Sequence, residues 1–334
     1  MRVKTGLAPC GLLGKLLATT LGAQAIERAR MSGGGSLIPT TFVERPDRLP
    51  PLAGDRIVIL DVAFASRDGF VRATEPFLRE AGDRIALWLD HHDHPQWPAM
   101  KGDPRFVLVP RRDARACPQL ITSALVQRIG PVDGIIAHAD FDGCMAAAKY
   151  LRGGHDPYSG SDEDARFADA PGKGFSCTAR GLGYLNAVEW LRHRGDSAAL
   201  MAFLSELLEV LVNGVETPDF ATKCAALGSE LAEHRKALAP HLGRAARPHS
   251  EILFLRCDGL SGPDKKFVLR ELEERARVAV VFEGGYTTAA TFDDERLDLA
   301  AMAGMDGGAG YAWKQEPPEA ILASLSAALN HLPR

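Results

Sequence analysis

The chain has 334 residues, of which 46% are hydrophobic and 25% charged, and it carries a formal net charge of −4. Those figures are ordinary for a soluble globular protein and give enough length for two domains with cores of their own. The acidic balance excludes a whole-molecule attraction for nucleic acid, leaving only a local basic cleft for that purpose, and no run reaches the roughly 18–20 uninterrupted apolar residues of a membrane span.

The N-terminus, MRVK followed by an apolar stretch with Leu12, Leu13, Leu16 and Leu17 and then Ala23-Gln24-Ala25, crudely imitates a secretion signal. Lys15 interrupts it, and Met31-Ser32-Gly33-Gly34-Gly35-Ser36 reads as a flexible segment or a second start. Residues 1–50 are therefore expected to be a flexible extension, and the Pro-rich stretch 46–54 a linker into the first folded element. The six cysteines, Cys10, Cys117, Cys144, Cys177, Cys224 and Cys257, are widely spaced without a C-x-x-C pair. That argues against a zinc ribbon or a disulfide framework and for a reducing cytoplasm.

RIVILDVAF (56–64), IALWLDHHDHP (85–95), FVLVP (106–110) and GIIAHADFDG (134–143) each contain a short continuous apolar run of strand length. Helical stretches alternate with them, around Arg72–Ala81, over 117–130 and through Leu151. This pattern predicts an α/β fold with a mostly parallel sheet covered by helices on both faces. In such sheets ligands bind beyond the carboxyl ends of the strands, and three of the four strands end there in Asp or His. From 177 to 246 the pattern is helical, including AALMAFLSELLEVLV (198–212), and is read as a connector. After residue 247 a second, smaller α/β domain follows: EILFLRC (251–257), DKKFVLRELEER (264–275), VAVVF (278–282), the Gly-rich GMDGGAG (304–310) and PEAILASLSAAL (318–329). The first α/β domain is placed at 51–176 and the second at 247–334.

The acidic and imidazole groups at strand ends are Asp61, the trio Asp90-His91-His92, and the alternating His138, Asp140 and Asp142. Alternate residues of a strand project to one side, and close carboxylates repel one another unless a cation lies between them. Carboxylates mixed with imidazoles and no cysteine suit Mn²⁺, Mg²⁺ or Fe²⁺ better than structural zinc. Seven such groups exceed the needs of one ion and suit two ions sharing a carboxylate, the arrangement that supports in-line phosphoryl displacement.

LDHHDHP resembles the Asp-His-His signature of the DHH phosphoesterase family, the superfamily of nanoRNase and RecJ-like enzymes. AHADFDG resembles that family's His-x-Asp-x-Asp-Gly motif, ILDVAF its single-aspartate motif, and GMDGGAGYAW sits where its glycine-rich substrate loop would fall. The motif order departs from the family's, since His-x-Asp-x-Asp follows rather than precedes Asp-His-His, which implies a rearranged sheet. The resemblance implies that His138, Asp140 and Asp61 hold one ion and that Asp142, Asp61, His91 and Asp169 hold the other, with Asp61 bridging. Asp169, from FADAPG, stands in for the fourth motif, against the alternative of a turn aspartate. His92 would approach the substrate phosphate, and Asp90 would support an imidazole. Gly143 would permit the turn into a helix whose amides favour anions. Gly307, Gly308 and Gly310 would let backbone approach a phosphate or base, and Arg111 and Arg112 are candidates for a phosphate clamp. In the terminal loop Tyr311 replaces the family's usual His, and TTAATF (287–292) lacks the usual Arg.

The expected function is a Mn²⁺-dependent phosphoesterase, with two ions and Mg²⁺ as the other candidate. Its substrate would be a small nucleotide or short oligonucleotide rather than a long duplex, and a homodimer is compatible with the sequence. Two readings compete. A nucleotide-binding sensor with little turnover is motivated by the replaced loop His. A haloacid-dehalogenase-like phosphatase would use Asp140 as nucleophile and Asp142 as acid/base, leaving Asp61, Asp90, His91 and His92 without a role.

Overall fold

The computed structural model describes residues 38–66, 69–169, 176–292, 296–308 and 310–331. The leader, Cys10 and the Ala-Pro-Gly that follows Asp169 lie outside them. The strands are β1 (Thr40–Val43), β2 (Ile57–Leu60), β3 (Ile85–Asp90), β4 (Phe106–Leu108), β5 (Gly134–His138), β6 (Ala246–His249), β7 (Ile252–Arg256), β8 (Val278–Glu283), β9 (Tyr286–Ala290), β10 (Asp306–Gly307) and β11 (Tyr311–Lys314). The α-helices are α1 (Glu75–Ala81), α2 (Ser123–Ile129), α3 (Phe141–Leu151), α4 (Ser161–Asp169), α5 (Ala179–Arg194), α6 (Ser197–Asn213), α7 (Pro218–Leu242), α8 (Gly262–Glu273), α9 (Leu299–Ala303) and α10 (Pro318–Asn330).

The chain divides into two compact units. The first takes the described residues up to Val109, with Ala116–Asp162 and Met201–Glu216; the second takes Pro110–Arg115, Glu163–Leu200 and the described residues from Thr217 onward. The first unit holds a five-stranded sheet in the order β1-β5-β2-β3-β4, and every pairing in it is parallel. All four residues of β2 are buried, as expected for a central strand covered on both faces. Trp88, fully buried, anchors one face: its indole N–H donates to the Val62 carbonyl at 2.8 Å, and Phe64 and Phe77 meet its ring edge-on.

The other face is covered by α3, in which all eleven residues are buried. A helix buried on every side needs cover on both flanks, and α6 supplies the second one. Phe203, Leu204, Leu207, Leu208 and Leu211 of α6 are buried, the Cys144 thiol lies 3.7 Å from the Leu204 carbonyl, and Arg152 donates to the Val212 carbonyl at 2.7 Å. Residues 201–216 thus belong to the first unit rather than to a connector over 177–246. Their apolar stripe, Phe203, Leu204, Leu207, Leu208 and Leu211, is the reason. The extension also ends earlier than residue 50: Thr40–Val43 pairs in register with Ile135–His138. This edge strand escapes the sequence pattern because only Phe42 and Val43 in it are buried.

The second unit holds a six-stranded mixed sheet in the order β10-β11-β9-β8-β7-β6. Only β7 and β8 are parallel, joined through α8. Alternation decides its two faces. Ile252, Val278 and Val280 pack with Ile321, Leu325 and Leu329 of α10, while Leu253, Leu255, Ala279 and Val281 pack with Val268, Leu269 and Leu272 of α8. No described helix is long and apolar enough to cross a membrane.

Candidate metal centre

Because β5, β2 and β3 are neighbours in a parallel sheet, their carboxyl ends share one edge, and each ends in the residues singled out above. Asp61 follows the central strand directly. It is the only non-glycine residue with positive φ among the described residues, at 59°, and it is 1% exposed. That conformation costs an ordinary L-residue about 1–2 kcal/mol, and its N–H donates to the Leu89 carbonyl at 2.9 Å, which holds it in place. The carboxylate looks both ways. Its Oδ1 lies 3.2 Å from His91 Nε2 and 3.8 Å from His92 Nδ1, and its Oδ2 lies 3.8 Å from His138 Nδ1.

On the β5 side the three groups converge for a reason other than strand alternation. His138 is the last strand residue, Asp140 is the N-cap of α3, and Asp142 sits in the first helical turn. A strand-to-helix turn replaces the extended segment on which alternation over 138, 140 and 142 would depend. Asp140 Oδ1 accepts from the Gly143 N–H at 3.0 Å, and its Oδ2 stands 2.9 Å from His138 Nδ1. Capping therefore occupies one oxygen and leaves the other turned to the imidazole. A Cβ on Gly143 would lie 2.3 Å from the His138 carbonyl oxygen, so only glycine fits this turn. Asp142 Oδ2 accepts from the Cys117 N–H at 3.1 Å and lies 3.4 Å from His91 Nε2.

On the β3 side Asp90 is fully buried. Its Oδ1 accepts from the His91 and His92 N–H groups at 2.8 and 3.2 Å and from His92 Nδ1 at 2.8 Å. An ionised carboxylate can only accept, so a neutral imidazole here would place its proton on Nδ1 and present Nε2 as the acceptor.

Burial pushes the Asp61 carboxyl well above the usual carboxylate range; Asp142 and Asp140 add to this and the neighbouring His91 imidazole opposes it. The Cys117 thiol, buried beside Asp61, Asp142 and Asp90, is likewise raised and stays neutral. Asp61 Oδ1 and His138 Nδ1 are buried without a well-directed hydrogen bond, although acidic and imidazole atoms stand within 4 Å of each. Ligand atoms of Asp61, His91 and His92 lie within 4.8 Å of one another, and so do those of Asp61, His138 and Asp140. A cation between these groups would offset the repulsion of their carboxylates, and the nitrogen-oxygen donor set fits a divalent first-row ion.

Asp169, at the end of α4, belongs to the second unit, where its carboxylate pairs with Arg111 and lies 3.9 Å from Lys266 Nζ. Arg111 is therefore engaged by Asp169, while Arg112 is exposed beside Asp113 at 3.7 Å. Gly307 ends β10, and Gly308 and Gly310 lie between it and β11 at the sheet edge. Gly307 has φ of 109°, the Gly308 N–H donates to the Tyr311 carbonyl at 2.9 Å, and a Cβ on Gly307 would lie 2.5 Å from that carbonyl oxygen. A tight turn alone accounts for Gly307. The Cys117 amide escapes sequence reading. Residues 117–130 form a short 3₁₀ turn and then α2, rather than one helix. Pro118, near the start of that turn, is the local signal for the break.

No protein-family model matches the chain, and no curated protein matches its sequence. Solved structures overlap it at low identity. The crystal structure of exonuclease RecJ bound to manganese is 14% identical over 84% of this chain and 76% of its own, with a TM-score of 0.39. RecJ in complex with Mn²⁺ from Thermus thermophilus is 14% identical over 84% of this chain and 45% of its own, with a TM-score of 0.42. PggH, a pGpG-specific phosphodiesterase from Vibrio cholerae, is 13% identical over 82% of this chain and 99% of its own, with a TM-score of 0.40. The chemistry of the site rests on the side chains described above.

Proposed function

We infer that the chain is a metal-dependent phosphoesterase acting on a small nucleotide or a short oligonucleotide. The observation that carries this reading is Asp61. A strained, buried carboxylate on the central strand turns one oxygen to His91 and His92 and the other to His138. His138, Asp140 and Asp61 would hold one divalent ion, and Asp61, His91 and Asp142 the other, with Asp169 as a further candidate ligand for the second. When bound, the ions would supply a nucleophile at neutral pH and neutralise charge on a phosphoryl group.

The chain's own residues do the rest. Asp90 holds the His92 ring through Nδ1, so a protonated Nε2 would be placed to donate to a phosphate oxygen or to the leaving oxygen. The Cys117 amide holds the Asp142 carboxylate and the Gly143 amide holds the Asp140 carboxylate, which would keep both in place for an ion. The sensor reading has one observation in its favour, the engagement of Asp169 by Arg111. A single assay separates them: Mn²⁺ content of the purified chain, with hydrolysis of a generic phosphodiester and of a panel of dinucleotides and short oligonucleotides. Stoichiometric Mn²⁺ with turnover supports the enzyme. Mn²⁺ and nucleotide binding without turnover supports the sensor, and no Mn²⁺ uptake overturns both.

A further inference from the structure

A second group of metal-ligand side chains lies in the second unit, on three helices that the function above does not use. His193 is near the end of α5, His234 is in α7, and Asp264 is in the first turn of α8. His193 Nδ1 stands 3.1 Å from Asp264 Oδ2, and His234 Nε2 stands 2.8 Å from Asp264 Oδ1. The two imidazoles lie 4.0 Å apart between ring centroids, and all three ligand atoms fall within 4.8 Å of one another. Asp264 is buried, whereas the histidine side chains are 21% and 24% exposed, so the cluster opens to solvent on the imidazole side.

Asp264 has a local duty in a capping box with Ser261, whose hydroxyl donates to Oδ2 at 2.8 Å and accepts from the Asp264 N–H at 3.2 Å. The cap itself needs neither histidine, although His193 Nδ1 also stands 3.0 Å from the Ser261 hydroxyl. Two imidazoles from separate helices nevertheless turn a nitrogen toward the same carboxylate, and protonating both would set two like charges about 4 Å apart. One divalent ion replaces both protons at once. Ligand atoms of a tetrahedral Zn²⁺ site, at bond lengths of about 2.0–2.1 Å, lie about 3.3 Å apart, and the two imidazoles stand 3.1 and 2.8 Å from the two oxygens of the Asp264 carboxylate.

We propose that His193, His234 and Asp264 form a second metal site, selective for a transition ion of the Zn²⁺ class, that ties α5, α7 and α8 together. Two imidazoles and one carboxylate prefer Zn²⁺ to Mg²⁺, which sets this site apart from the carboxylate-rich centre on the first sheet. Its fourth position is left to water. Uptake at this site would release any proton held between the imidazoles and Asp264.

Trp190 gives the test its readout, because its ring lies against His193 at 5.1 Å and 14° and its indole N–H donates to Glu230 at 2.5 Å. The chelator-stripped full chain, held in excess Mg²⁺, is titrated with Zn²⁺ while tryptophan emission is followed, and bound Zn²⁺ is counted after equilibrium dialysis. The expected result is one more Zn²⁺ in the wild type than in His234→Gln or His193→Gln. An emission change should also be present in the wild type and in Asp142→Asn but missing in Trp190→Phe. Equal Zn²⁺ in the wild type and both histidine variants overturns the site and leaves the cluster as a helix cap. An unmoved wild-type emission overturns it even if neither histidine variant folds.

Discussion

Asp61→Asn tests the centre most directly, because asparagine accepts the positive φ at this position better than any residue but glycine. The substitution keeps the shape and removes the charge on which both triads depend. Ligand atoms of Asp61 and Asp140 lie within 4.8 Å, and two unit charges at that separation repel by about 3 kcal/mol at an effective dielectric of 20. His91 offsets part of this, so the metal-free variant should gain about 1–3 kcal/mol over the metal-free wild type. At about 2–4 °C per kcal/mol, thermal scanning in EDTA resolves that gain. Its pH dependence has a definite sign. The Asp61 carboxyl is raised in the folded chain, so its contribution to stability is fully present below the unfolded value and is lost as pH rises through the folded one. The variant's advantage should therefore be small at acid pH and widen toward pH 8. Mn²⁺ should reverse the order, because an ion at 100 times its Kd adds about 2.7 kcal/mol to a chain that binds it. If the variant is less stable in EDTA at both pH values and Mn²⁺ raises both proteins equally, Asp61 is a structural turn residue and no metal centre exists there.

Asp142→Asn should lower phosphodiester hydrolysis by about three orders of magnitude with one Mn²⁺ lost, read by turnover and metal content together. Asp169→Asn should cost about 10–100-fold, in the range seen when a group supporting a metal site is removed; unchanged turnover and Mn²⁺ stoichiometry would leave Asp169 only its pairing with Arg111. Gly143→Ala should sharply lower the Tm, because its Cβ meets the His138 carbonyl at 2.3 Å. Gly183→Ala in α5, where a Cβ meets nothing within 4 Å, should gain up to about 1 kcal/mol. Asp90→Asn should lower kcat more than KM and shift its pH profile, since His92 loses the acceptor that fixes its tautomer; an unshifted profile would remove His92 from proton transfer.

The parallel sheet is legible in the sequence because β2, β3 and β5 are buried on both faces and read as unbroken apolar runs. The site is legible because those runs end in carboxylates and imidazoles, which a buried strand end tolerates only with a compensating charge. Strand alternation is nevertheless the wrong reason for the cluster of His138, Asp140 and Asp142, since it assumes a strand where the chain has already turned into a helix cap. β1 is hidden by its half-polar TTFV sequence. α6 is recognisable as a helix but not as cover for α3, because apolarity says that a surface is buried and not against what. The trio of His193, His234 and Asp264 leaves no local trace, as its members come from three helices and meet only by packing.

The order β1-β5-β2 carries a consequence for how the chain acquires its shape. β1 has β5 as its only partner among the described residues, so this edge strand stays without its sheet partner until residues past Gly134 have been made. The last strand of this sheet is then inserted between two earlier ones, instead of being added at an edge. Such long-range closure is slow, and the strand that completes it also delivers His138, Asp140 and Asp142. A divalent ion would therefore meet a finished binding surface only when this sheet is finished, so metal capture should report the closing of the sheet and not an early step.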